Sequence, residues 1–94
     1  MSIFAVIRDA SEVNNPALGT RIAKQFPGAF YNVGKGQWLI SSDLGVKEVS
    51  AALNIEKGGK FTGTLVMEVT SYYGLHNKKL WNWISEHGGK HDDE

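Results

Sequence analysis

The chain has 94 residues, with ten basic and ten acidic side chains, 41% apolar residues and no cysteine. This length predicts one domain with one modest core, and the absence of thiols excludes disulfide bonds and cysteine-ligated zinc. A formal charge of zero argues against the clustered lysine and arginine that grip a nucleic-acid backbone. No segment approaches the roughly 20 apolar residues of a membrane-spanning helix, so we expect a cytoplasmic protein with no membrane partner.

The first third of the chain predicts a strand followed by a helix. Residues 2–8 form a short apolar run, rich in β-branched side chains and typical of a buried strand. Asn15-Pro16 suits a helix start, because Asn caps and Pro is tolerated in the first turn. The helix is predicted to run to about Phe26, with Leu18 and Ile22 on its apolar face.

A hairpin and a second helix are predicted next. Residues 29–33 and 37–41 have strand composition, and the Gly-rich connection at 34–36 indicates a tight turn between them. Ser42 or Asp43 is expected to cap the second helix, which presents an apolar face at helical spacing. That face consists of Val46, Val49 and Leu53.

The fourth strand is predicted over residues 61–70. Its alternation places Glu68 on a polar face among threonines. The opposite face is predicted to be the core face and contains Phe61, Leu65, Met67 and Val69.

A third helix is predicted from about His76 to His87, and residues 89–94 form an acidic tail expected to be flexible. Trp81 lies on the flank of this helix. The predicted core-facing stripe consists of Leu80, Trp83, Ile84 and His87.

This order of elements predicts a single ferredoxin-like α+β domain over residues 1–88, with the order βαββαβ and an additional C-terminal helix. The hairpin and the right-handed crossovers favour a four-stranded antiparallel sheet in the order 4-1-3-2. Two helices would cover one face. A homodimer or an added helix would cover the other.

Three segments of this pattern resemble a group of small proteins: the VapD-type toxins, the small nuclease-like subunit of the CRISPR adaptation complex, and SinR-like proteins. The segments are Ile7-Arg8-Asp9, Gln37-Trp38-Leu39-Ile40 and Leu65-Val66-Met67-Glu68-Val69. The resemblance implies that Asp9 binds a divalent metal at a dimer interface. It also implies a bacterial or phage setting related to nucleic acids, such as a toxin–antitoxin or defence system.

Asp9 is the candidate catalytic and metal-binding residue. Two copies meeting across a dimer axis would hold one Mg²⁺, which prefers oxygen ligands. The structural alternative is a loop acid that orders the turn after the first strand or pairs with Arg8.

A second candidate site combines aromatic rings with positive charge near the third helix. Rings stack on bases and cations bind phosphates, so the segment is a candidate RNA-binding edge. The same rings suit a protein contact, or simply packing over the sheet. The residues are Tyr72, Tyr73, His76, Lys78, Lys79 and Trp81.

The sequence therefore favours a small homodimeric binding module without strong catalysis and without a cofactor. One alternative is a metal-dependent endoribonuclease that uses Asp9 with Mg²⁺. A second is an inhibitor or adaptor that binds another protein.

Overall fold

The computed structural model describes residues 2–8, 17–55, 61, 63–71 and 78–87. The predicted tail at 89–94 lies outside these residues. Seven elements follow one another along the chain: β1 (Ser2–Arg8), α1 (Ala17–Gln25), β2 (Phe30–Gly34), β3 (Gln37–Ser42), α2 (Val46–Ala52), β4 (Thr64–Val69) and α3 (Lys78–His87).

The four strands form one antiparallel sheet in the order β2-β3-β1-β4. Read from the β4 edge, this is the predicted order 4-1-3-2. The α+β class and the four-stranded antiparallel sheet are thus confirmed. β1 lies at the centre, between β3 and β4, so its side chains determine what both faces of the sheet bury.

The first face of the sheet carries the main core. Phe4 of β1 lies opposite Ile40 of β3, and both are buried together with Val6. α1 and α2 cover this face with their apolar sides, as the periodicity predicts, except that Val46 in the first turn of α2 is 39% exposed. The side chains that complete the cluster are Leu18, Ile22, Phe26, Val49, Leu53 and Phe61.

The second face of the sheet is covered in part by α3. Ile3 of β1 is buried there with Leu80 and Ile84 of the helix. Leu39 and Val69 pack against the same cluster. The added helix predicted from the sequence therefore lies across the sheet from α1 and α2.

The predicted hairpin is confirmed, with a turn at Lys35 and Gly36. Gly36 has a φ of 69°, a conformation that glycine adopts without a steric penalty. The ladder between β2 and β3 shifts register between Asn32 and Gly34. The Asn32 amide compensates for this irregularity, because its Nδ2 donates to the carbonyls of Gly34, at 3.0 Å, and Gln37, at 3.1 Å.

The predicted cap of the second helix is wrong. α2 begins after Gly45, which makes no side-chain capping bond. Ser42 belongs to β3, where its hydroxyl accepts a hydrogen bond from the Leu44 backbone N–H at 3.0 Å. The polar side chain thus organises the turn that leaves the strand, and the helix begins four residues later, at Val46.

The predicted core face of the fourth strand is wrong at Leu65 and Met67, whereas Phe61 and Val69 do pack in the core, although on opposite faces of the sheet. β4 is shorter than predicted, and Phe61 reaches the core from outside it. Val66 packs against the first-face core, whereas Leu65 and Met67 are 56% and 40% exposed. The register explains this, since Val66 lies opposite the buried Val6.

No helix in the described part of the chain is long and apolar enough to cross a membrane.

The core predicts a strong contrast between two leucines. Leu53 is fully buried and Leu44 is 44% exposed. Leu53→Ala should lower the free energy of unfolding by about 2–5 kcal/mol, because it leaves a cavity in the first-face core. Leu44→Ala, the matched control, should change it by about 0.5 kcal/mol or less. Urea denaturation would measure both, and equal losses would contradict this assignment of the core.

Candidate functional site

Four of the predicted site residues lie outside the described residues. These are Asp9, Tyr72, Tyr73 and His76. The metal-binding role of Asp9 and the ring cluster therefore stay predictions. Within the described ranges, no group of three or more His, Asp or Glu side chains is placed to hold a metal ion.

The other three predicted binding residues lie in the first turns of α3. Lys78 and Lys79 are exposed, and Trp81 is half-buried. Lys78 and Trp81 are three residues apart, so they lie on neighbouring positions of the helix surface. Helical spacing thus puts one cation and one ring at neighbouring positions in the first turns of α3.

The two tryptophans of α3 lie on either side of its buried stripe. Leu80 and Ile84 are buried, whereas Trp81 and Trp83 are half-buried and pack against the same second-face cluster. Trp83 therefore faces the core as predicted, but it is half-buried, and Trp81 packs against the same cluster to a similar degree. The buried side chains of Leu80 and Ile84 hold the helix on the sheet, and the two indole rings pack along its flanks.

The C-terminal end of α3 is tied to the sheet by an aromatic stack and a hydrogen bond. The Trp83 ring stacks on the His87 ring, with centroids 4.5 Å apart and planes 17° apart. Tyr31 of β2 also contacts the Trp83 ring, with centroids 6.0 Å apart. Ser41 Oγ donates to the His87 carbonyl at 2.9 Å. This hydrogen bond satisfies one of the carbonyls that a helix end leaves without an internal partner.

An apolar groove of about 250 Å³ lies between α3 and the second face. Trp81 forms one wall, and Ile3, Val33 and Leu39 belong to the sheet side. Specific ligand sites normally add a few polar groups that orient the ligand. The described lining is apolar, so the groove is suited to apolar packing and not to the recognition of a polar substrate.

Beyond α3, the second face carries a partly exposed apolar strip formed by Ile7, Leu65 and Met67. Ile7 and Met67 are each 40% exposed, and Leu65 is 56% exposed. Ile7 lies directly opposite Leu65, and Met67 is two residues further along β4. The three side chains therefore form one contiguous surface, which we call the apolar strip.

Arg8 occupies the opposite face at the end of β1. It is buried, and its guanidinium carbon lies 5.2 Å from the centroid of the Phe61 ring. This geometry is a cation–π contact. Arg8, the charged residue that ends the first strand, is thus buried in the core, one position before Asp9.

A second cation is also committed to the fold. Arg21 of α1 donates from Nε to the Ala52 carbonyl at 2.9 Å, at the end of α2. A groove of about 270 Å³ beside it includes Lys24 and Asn54. Because Arg21 satisfies a terminal helix carbonyl, its first role is to join α1 to α2.

Sequence reasoning missed the apolar strip, although a signal was present. Leu65, Val66 and Met67 are three consecutive apolar residues, so alternation alone leaves the buried face of β4 undecided. The neighbouring strand settles it once the pairing is known, because Val6 and Val66 share a face. The exposed side chains then stand on the face of Ile7.

No protein-family model matches the chain, and no curated protein matches it significantly.

The anchoring of α3 can be tested with two adjacent residues. Ile84 is buried, and its neighbour Ser85 is exposed. Ile84→Ala should lower the free energy of unfolding by about 2–5 kcal/mol, because it removes a buried contact with the sheet. Ser85→Ala should change it by about 0.5 kcal/mol or less. Thermal and urea unfolding would both report the difference, and a silent Ile84→Ala would show that α3 is not held by this side chain.

Proposed function

We propose that the chain is a small homodimeric binding module with a ferredoxin-like βαββαβ fold, in a bacterial or phage system related to nucleic acids. The antiparallel sheet in the order β2-β3-β1-β4 supports the fold assignment. The toxin–antitoxin or defence setting is supported by the resemblance to the small VapD-type and CRISPR-related proteins. That resemblance rests on three segments, one at the C-terminal end of β1, one within β3 and one within β4.

The observation that carries the binding role is the apolar strip. Exposed leucine, isoleucine and methionine side chains that lie together on a sheet face indicate a surface that another molecule covers. Among the described residues, the α3 cluster covers the part of this face around Ile3, Leu39 and Val69. The strip lies beside that helix, so a partner docking there would complete the second layer of the domain.

Homodimerisation predicts a specific mass in solution. The chain mass is 10.3 kDa, so light scattering at micromolar concentration should report about 20 kDa, the mass of an isologous pair. Leu65→Asp should shift the protein towards the monomer, because it places a charge in the apolar strip. Leu44→Asp is the matched control at a comparably exposed leucine, and it should leave the dimer intact.

A clean monomer across this concentration range would contradict the homodimer. Equal behaviour of the two aspartate variants would show that the strip is not the contact surface.

A metal-dependent endoribonuclease would cleave nucleic acid, whereas the proposed binding module would not. We expect no cleavage of RNA or DNA in the presence of Mg²⁺ or Mn²⁺, since a single candidate acid and zero net charge make a poor nuclease. Purified wild-type protein and Asp9→Asn should therefore give the same background in a gel assay. Robust cleavage that EDTA and Asp9→Asn both abolish would overturn the binding role and establish a metal-dependent endoribonuclease.

A further inference from the structure

In the part of the chain that the structure describes, the two edges of the sheet differ in how well they are protected from pairing with another strand. At one edge, β2 carries a register shift between Asn32 and Gly34. Such irregularities bend a strand and discourage edge-to-edge association. At the other edge, β4 pairs with β1 over six consecutive positions without a shift. It contains no proline, lysine or glycine, and its only charge is Glu68.

From this contrast we propose that a second copy of the chain pairs with β4 in antiparallel fashion, with Val66 opposite Val66 on the two-fold axis. The two sheets would then join into one continuous sheet of eight strands. The proposal rests on the proposed homodimer and names its surface and register. Antiparallel pairing of a strand with its own copy is isologous by construction, so the same edge serves both partners.

The register follows from the side chains of β4. A two-fold axis perpendicular to the sheet keeps each face on its own side, so only registers that pair residues of the same face are allowed. An axis at Glu68 would place two carboxylates directly opposite each other, which is destabilising. An axis at Met67 would place Glu68 opposite the apolar Val66. An axis at Leu65 would carry Glu68 past the end of the partner strand, which begins at Thr64.

On the second face, the axis at Val66 joins apolar side chains. Leu65 of each copy lies opposite Met67 of the other, and such directly opposed side chains are in contact distance. Ile7 flanks Leu65 in each copy. The two apolar strips thus become one surface across the interface, which removes from water Leu65, the most exposed of the described large apolar side chains, together with Ile7 and Met67.

On the first face, the same register would place the Glu68 carboxylate of the second copy near the Thr64 hydroxyl and the Lys47 ammonium group. Thr64 Oγ1 is buried and makes no hydrogen bond. A groove of about 290 Å³ between α2 and β4 has Thr64, Ser50 and Lys47 in its lining. Glu68 of the second copy would lie opposite Thr64 and enter this groove. Rotation about χ1 of Thr64 would turn its hydroxyl towards that carboxylate, and Lys47 supplies the opposite charge.

Charge and shape therefore favour a second copy as the occupant of this edge. An unrelated strand would form the backbone hydrogen bonds along β4, but it would not carry a carboxylate at the position opposite Thr64. When two copies pair, the groove of each copy receives Glu68 of the other. Two equivalent Glu68–Lys47 contacts arise from one pairing, because the two-fold axis repeats each contact.

Disulfide trapping tests the register directly. The chain has no cysteine, so Leu65→Cys and Met67→Cys each introduce a single thiol. Directly opposed residues have Cα atoms about 4.5–5.5 Å apart, within the range of a disulfide, whereas diagonal neighbours are about 7–8 Å apart. A mixture of the two variants should therefore form the 65–67 cross-link faster than either variant links to itself. Leu44→Cys, mixed with either variant, is the matched exposed control.

The outcomes separate this proposal from the one on which it rests. A 20 kDa particle that shows no preference for the 65–67 cross-link would overturn the β4 pairing and leave the homodimer standing. A monomer at every concentration would overturn both. Preferential 65–67 trapping would establish the edge and the register together.

A charge exchange tests the first-face contact independently. Glu68→Lys should raise the dimer dissociation constant at least tenfold, because it faces Lys47 of the second copy, and Lys47→Glu should do the same. The double variant Lys47→Glu/Glu68→Lys should return to within about threefold of wild type. Both side chains are exposed, so circular dichroism should show an unchanged fold. Failure of the double variant to recover would contradict the Glu68–Lys47 contact.

Discussion

The structure depends on the pleat of β1, the strand that has a neighbour on each side. Its even-numbered residues face α1 and α2, and its odd-numbered residues lie on the second face, where Ile3 packs against α3. Because successive side chains alternate without exception along a regular strand, a slip of one residue would exchange the buried Phe4 and Val6 for residues of the second face. Pairing on both sides fixes that register, so β1 determines the identity of both apolar layers.

The same alternation explains which parts of the fold the sequence could predict. β1, α1 and the hairpin carry local signals: a short apolar run, apolar residues four apart, and a glycine in the left-handed region at Gly36. The start of α2 carries no such signal, because Gly45 precedes it and Ser42 is used within the preceding strand. The helix forms nevertheless, since Val49 and Leu53 are buried by the sheet. Tertiary packing thus replaces the missing cap.

The candidate site was predictable only in part, for a related reason. Sequence patterns identify which residues are apolar, but the pairing partner decides which apolar residues remain exposed. Leu65 and Met67 have the composition of a core, yet Val66 between them faces the core. Trp83 has the spacing of a buried residue, yet it lies at the flank, where His87 and Tyr31 can reach it. In each case a contact from a distant part of the chain decided the outcome.

The incomplete cover over the second face follows from the length and placement of α3. The helix has ten residues, which corresponds to about 15 Å, or roughly three strand spacings. Its contacts run across the sheet, from Val69 through Ile3 to Tyr31, and Ser41 fastens its end. A helix placed across the strands covers their width at one end and leaves the other end open. Ile7 and Leu65 lie at that open end, beside the regular edge of β4. In the described part of the chain, an exposed apolar face and the outer strand of the sheet thus lie at the same corner, which is why a single partner, docked along β4, would cover both.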